Sequence, residues 1–326
     1  MIESKKLLQN KIGSAVAINP KTGGVIAMAS SPGYNPNLLT GSQRRKTIGR
    51  LLLDTARPIY NRAIKGQYPP GSTFKPLGAL IALDEGLITP NFGYNCFGSY
   101  GACGDPRKCE HHNAGHAANL QLALAYSCNS YFLQVFRMAI DNPKYKSAKG
   151  GYLKWKEYMN AFGFGRKLGV DLPSENKANI PDTAQYNKDF GNPRYWNSCY
   201  MLTLGIGQDR MTATPLQLAN SMAFIANDGY YYTPHFVDSI ESETQEEAAQ
   251  LAPFRKKQKV TKIPKEYFDV IKEGMHDVTV YGTAAFIKVP GHDYCAKTGT
   301  AQNPHGNPIP LSKTFCGTYR NTFIIL

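Results

Sequence analysis

The chain has 326 residues, 42% of them hydrophobic, with 37 Lys and Arg against 24 Asp and Glu and a formal net charge of +13. That composition excludes intrinsic disorder, collagen and a bare coiled coil, and the length suits about two domains of roughly 150 residues or one large mixed domain. The charge favours polyanionic partners, yet no basic block is longer than Arg255-Lys256-Lys257, no nucleic-acid motif accompanies it and the 20 Tyr are scattered, so nucleic acid is not expected as a partner.

In chain order, Met1 to Lys11 is polar and charged, with no apolar run long enough for a signal peptide or a membrane span. Gly13 to Ser30 reads as a hairpin: two short apolar runs, Ala15 to Ile18 and Val25 to Met28, flank a turn containing Pro20, Gly23 and Gly24. Gln43 to Pro58 is basic and irregular, a surface helix or connection. Tyr68-Pro69-Pro70-Gly71 stops any regular element. Phe74, Leu77, Leu80, Ile81 and Leu83 then give helical spacing, placing Ser72 at a helix entrance.

Asn91 to His116, rich in Gly, Cys, His and Asn, reads as a loop excursion, and Leu120 to Met138 as a return to helix. Lys154 to Phe162, Thr214 to Asn227 and Tyr267 to Val280 are further helices, the second with Pro215 in its first turn. Glu241 to Lys259, acidic then basic, reads as an exposed insertion, and His292 to Thr300 as a strand entering a Gly turn. An early hairpin, late strands and helices between them predict a mixed α+β fold whose sheet is assembled from distant parts of the chain.

Three short motifs carry the chemistry. Ser72-Thr73-Phe74-Lys75 sets a hydroxyl and an amine on one face of a helix start. Serine is a weak nucleophile until a base takes its proton, and lysine serves only if its pKa is depressed, while the helix N-terminus offers N–H groups to an oxyanion. Alone, the pattern reads first as an N-cap serine followed by a surface lysine. Ser127-Cys128-Asn129 supplies a second hydroxyl and an amide, and alone reads as a cap or turn. Lys297-Thr298-Gly299-Thr300 would present a cation and hydroxyls to a carboxylate, with Gly299 admitting a close ligand backbone. In this order, the three form the signature of penicillin-binding proteins and serine β-lactamases.

The chain resembles the transpeptidase domain of class B penicillin-binding proteins, most closely the PBP2 type of cell elongation. The likeness runs from about Ile12 to Gln302 and includes Asn61-Arg62-Ala63, Tyr68 to Pro76, Phe162 to Gly165, Gly205-Ile206-Gly207-Gln208, Thr214 to Ala219, Gly274-Met275 and Gly282-Thr283-Ala284. It implies an antiparallel sheet flanked by helices with a helical subdomain, within about residues 66–230, and an active site between them. It also implies a transpeptidase domain over residues 12–306, a linker remnant over 1–11 and a divergent tail over 307–326.

By the same resemblance Ser72 attacks the D-Ala-D-Ala carbonyl of a peptidoglycan stem peptide, Lys75 is its base, and Ser127, near Lys297, relays the proton to the leaving D-Ala. Asn129 holds the substrate amide, and Lys297, Thr298 and Thr300 bind the terminal carboxylate. Gly299 completes the substrate-binding set, and the N–H groups of Ser72 and Thr300 form the oxyanion hole. β-Lactams acylate the same serine. The family's partner is a membrane glycosyltransferase of the elongation complex, its place the periplasmic side of the bacterial inner membrane, and no cofactor is implied. A penicillin-binding sensor or scaffold, an inactive fragment and a β-lactamase are the alternatives, the last disfavoured because no deacylating-Glu motif of the class A kind is present.

The sequence departs from the family at both ends. No membrane helix or pedestal precedes the hairpin, and Asn307 to Leu326 does not resemble the family, which suggests truncation or a frame shift near Gly306 and incomplete C-terminal strands and helix. Thr314 to Tyr319 or Thr322 to Leu326 could replace one missing strand but not the set. Seven cysteines leave at least one unpaired. Cys96, Cys103, Cys109, His111, His112 and His116 are of metal-binding types but match no standard zinc spacing, and a disulfide or no linkage reads as well. No metal ligand is assigned, and Cys128 and Cys295 read as packing residues.

Overall fold

The computed structural model describes residues 6, 8–110, 115–192, 196–241, 243–259, 262–287, 291–301, 312–319 and 322–325. His111 and His112, two of the candidate ligands, lie outside them, as do 302–311. The opening hairpin forms β1 (Gly13–Ile18) and β2 (Val25–Ser31), with a register shift between Ala17 and Ile18. Side chains alternate across a strand, so Val16 and Ile18 enter the main core while Ala15 packs with Ala29 and Leu8 on the other face.

Two-residue strands β3 (Ser99–Tyr100) and β4 (Arg107–Lys108) pair within the loop excursion, and β5 (Tyr230–Tyr232) pairs with β6 (Lys257–Lys259). The presumed insertion at 241–259 thus returns to the fold, after a helix at Gln245–Arg255 started by a capping box between Thr244 and Glu247. β7 (Tyr294–Ala301), β8 (Ser312–Tyr319) and β9 (Thr322–Ile325) complete a five-stranded antiparallel sheet in the order β2-β1-β9-β8-β7. Both tail segments form strands, where the sequence suggested room for one, and they carry the sheet from β7 to β1 through pairs such as Cys316↔Ile325 and Val16↔Ile325.

Three local readings are corrected. The run from Leu120 divides into helices Leu120–Ala125 and Asn129–Ile140, because Ser127 between them takes a left-handed φ of 53°. The helix expected from Lys154 begins at Ala148, capped by Ser147. Gly150 and Gly151, inside this helix, serve close packing: a Cβ would lie 2.2 Å from the Tyr145 oxygen at one and 2.1 Å from the Ile140 oxygen at the other. Gly299 sits inside β7 instead of a turn, paired with Thr314.

Every residue from Pro215 through Ile225 is buried, the polar Gln217, Asn220 and Ser221 included, and this helix packs on β1, β8 and β9. Helix Lys265–Val280 packs on β7 and on Leu120–Ala125, where Gln121 donates to Asp277 at 2.6 Å. Among the described residues no helix is long and apolar enough to cross a membrane. A disulfide joins Cys103, in the excursion, to Cys199, 96 residues away. A closed loop of that length contributes about 2–4 kcal/mol by restricting the unfolded chain.

Candidate active site

Pro70 ends an extended run and a single 3-10 turn, Gly71–Phe74, leads into helix Lys75–Asp84, so Ser72 stands at the junction with Lys75 one turn on. Three contacts lock this junction. Gly71 N–H donates to the Gly207 carbonyl at 2.8 Å, Tyr68 and Ala213 exchange backbone bonds, and Thr73 Oγ1 donates to the Pro70 carbonyl at 2.6 Å. β7 then presses against both neighbours of Ser72. A Cβ on Gly71 would lie 2.6 Å from the Thr300 oxygen, and one on Gly299 would lie 2.7 Å from Thr73 Cγ2 and 3.1 Å from the Pro70 oxygen. Glycine at both positions lets β7 approach the backbone on either side of Ser72.

Both lysines are fully buried. Lys75 Nζ donates to the Ser127 carbonyl at 2.6 Å, to Ser127 Oγ at 3.1 Å and to Asn129 Oδ1 at 2.7 Å, and lies 5.5 Å from the centre of the Phe132 ring. Lys297 Nζ donates to the same Ser127 Oγ at 2.8 Å and to the Thr298 carbonyl at 3.2 Å. The left-handed Ser127 makes this convergence possible by turning its hydroxyl and carbonyl toward one amine. Asn129 Nδ2 donates to the Lys108 carbonyl at 3.1 Å, which fixes its amide.

Loss of water lowers the Lys75 pKa to about 8, against a smaller upward pull from Cys128, Cys109 and Glu110. About one lysine in ten is then neutral at pH 7, about 300 times the fraction at its ordinary 10.5. The structure therefore joins Lys75, Ser127, Asn129 and Lys297 in one hydrogen-bonded group and lays Thr298, Gly299 and Thr300 of β7 along the Pro70–Thr73 segment that carries Ser72.

Two residues had no assigned role in the sequence. Gln208 Nε2 donates to the Thr300 carbonyl at 2.8 Å, bracing β7 at that residue. Thr283 Oγ1 lies 2.8 Å from Thr298 Oγ1. Both lie in stretches quoted for the family likeness, and that placement was their only signal.

A second cluster backs the site. Cys96, Cys109, His116 and Cys128 are buried with their donor atoms all within 4.8 Å of one another. The Cys109 and Cys128 sulfurs are 3.8 Å apart and Cys109 Sγ is 3.9 Å from His116 Nε2. An edge of about 3.8 Å is what a tetrahedron with zinc–sulfur bonds of about 2.3 Å requires. Three thiols and an imidazole fit zinc by chemistry and by size. The spacing concealed the set because Cys128 comes from the Ser127-Cys128-Asn129 motif and Cys103 is committed to Cys199. Metal analysis is expected to give about one zinc per chain, falling to a small fraction in Cys96→Ser/Cys109→Ser. Equal zinc in both proteins would exclude the site.

The sequence profile of the penicillin binding protein transpeptidase domain matches residues 13–317. The chain belongs to this family. It is 33% identical over 304 residues to the peptidoglycan D,D-transpeptidase MrdA of Acinetobacter baumannii, covering 92% of this chain and 43% of that protein. The chain thus spans less than half the length of that relative. Among solved structures, PBP2 of Pseudomonas aeruginosa in complex with WCK 5153 superposes with a TM-score of 0.81 at 28% identity, over 99% of this chain and 70% of that one. A chain of a peptidoglycan synthase complex that coordinates polymerization and crosslinking gives 0.78 at 26% identity, over 99% and 54%. The mixed α+β penicillin-binding fold expected from the motifs is the fold present.

Proposed function

We propose that this chain is the acyl-transfer module of a peptidoglycan D,D-transpeptidase. The observation that carries the reading is the convergence on the Ser127 hydroxyl of two buried lysines, of which Lys75 lies one turn from Ser72. Neutral Lys75 takes the Ser72 proton as Oγ bonds to the carbonyl carbon of the penultimate D-Ala of a stem peptide. The N–H groups of Ser72 and Thr300 receive the oxyanion.

Collapse breaks the peptide bond, and Ser127 passes its proton to the departing D-Ala nitrogen while Lys75 reprotonates it. Lys297, beside Ser127, stabilises the hydroxyl oxygen during that transfer. Asn129 holds the substrate amide, and Lys297, Thr298 and Thr300 hold the terminal carboxylate. An amine of a second stem then attacks the ester and restores Ser72. β-Lactams enter by the same attack and stall at the ester.

The likeness to a chain of a peptidoglycan synthase complex supports a membrane glycosyltransferase as partner of the whole protein. The Cys103–Cys199 disulfide suits an oxidising compartment such as the periplasm. Intact-protein mass after incubation with benzylpenicillin tests the reading. One penicilloyl adduct is expected on the unaltered chain and none on Ser72→Ala. No adduct on a cooperatively melting protein would leave the scaffold alternative, and rapid loss of the adduct with penicillin turnover would indicate a hydrolase.

A further inference from the structure

Thr283 follows helix Lys265–Val280 in a turn that touches two parts of the site at once. Its N–H donates to the Ala125 carbonyl at 3.1 Å, two residues before Ser127. Gly282 lies so close to the same strip that a Cβ would sit 2.3 Å from the Ala125 oxygen, and Ala284 N–H donates to the Val278 carbonyl at 2.9 Å. The turn is thus held on both sides, and it delivers the Thr283 hydroxyl to 2.8 Å from that of Thr298.

A hydroxyl has one proton and two lone pairs. For Thr298 to donate that proton to a substrate carboxylate, a lone pair must face another donor, and Thr283 is positioned to be it. We infer that Thr283 is a positioning residue that donates to Thr298 Oγ1 and so aims the Thr298 proton at the ligand carboxylate, which makes it a determinant of selectivity for carboxylate-bearing acyl donors. The inference rests on the proposed role of Thr298. It adds to Lys297, Thr298 and Thr300 a fourth residue, on a different element, for carboxylate recognition. Chained hydroxyls also polarise one another, so the bond to an anion strengthens when its donor is itself hydrogen-bonded.

The experiment compares acylation rates of benzylpenicillin and its methyl ester on the unaltered chain, Thr283→Val, Thr283→Ser, Thr298→Val and the Thr283→Val/Thr298→Val double variant, with a thermal melt of each. A hydrogen bond to a charged group corresponds to about a tenfold or greater change in rate. Thr283→Val is therefore expected to slow benzylpenicillin about tenfold while leaving the ester within about twofold, and Thr283→Ser to restore the acid rate. In the Thr298→Val background the Thr283 change should have no further effect.

Equal slowing of acid and ester by Thr283→Val would overturn the inference and leave a packing role. So would an unchanged acid rate, or full additivity in the double variant. If Thr298→Val does not alter the ratio of acid to ester, the carboxylate role of Thr298 fails and takes the inference with it, while acylation of Ser72 stands. Absence of any adduct on the unaltered chain overturns both.

Discussion

Lys75→Met is expected to lower the rate of penicillin acylation at pH 7 by about three orders of magnitude, within the range that loss of a general base produces. The folded state should survive, because an apolar side chain of similar length replaces a buried amine whose desolvation is unfavourable. Its Tm is expected to fall by no more than several degrees, because the relief of a buried amine offsets part of the loss of a donor to the Ser127 carbonyl and Asn129 Oδ1. In the unaltered chain the base is active only when neutral. Since burial has lowered its pKa to about 8, the rate should rise about tenfold per pH unit from 6 toward 8 and level off above it. A flat profile over that range, or a variant keeping a tenth of the rate, would remove Lys75 from the mechanism.

Gly207→Ala is the second substitution with a large expected effect. Gly207 holds a φ of 68°, and a Cβ there would lie 2.3 Å from the Gly71 carbonyl oxygen and 2.9 Å from Phe74 Cβ. The left-handed backbone costs about 1–2 kcal/mol for alanine, and the backbone clash cannot be relieved by a rotamer change. Either the Gly207 turn or the Gly71–Phe74 turn must move. Displacing the nucleophile by about 1 Å costs about a hundredfold in rate, so acylation should fall at least that far, with a Tm several degrees lower. Near-normal acylation would show that the turn tolerates a shift that the packing argues against.

The parts of the fold legible in the sequence are those set by neighbours along the chain. The hairpin follows from alternating apolar residues around Asn19 to Gly24, and the Pro215–Ala226 helix from Thr214, Pro215 and Gln217 acting together at its start. Ser72, Lys75, Ser127, Asn129 and Lys297 were legible because each sits in a short motif whose chemistry is recognisable in combination. What the sequence hid depends on distance. Gln208 reaches Thr300 across 92 positions and Cys103 reaches Cys199 across 96. Spacing says nothing about either. The early start of the Ala148–Ala161 helix was hidden in the same way, since Gly150 and Gly151 pack closely only once Tyr145 and Ile140 are in place.

The pairing of β9 with β1 has a consequence for the order in which the protein matures. Ser72, Lys75, Ser127 and Asn129 lie in the first 130 or so residues, whereas Lys297 and Thr300 join them on a strand tied to the hairpin through Ile324 and Ile325. A contact between segments about 300 residues apart closes late, because the intervening chain must first be ordered. A chain emerging N-terminus first is therefore expected to place Ser72 and Lys75 before Thr300 and Lys297 arrive. The group around Ser127 would then be completed only with the last strand, so Ser72 would stand in place before its full surroundings exist.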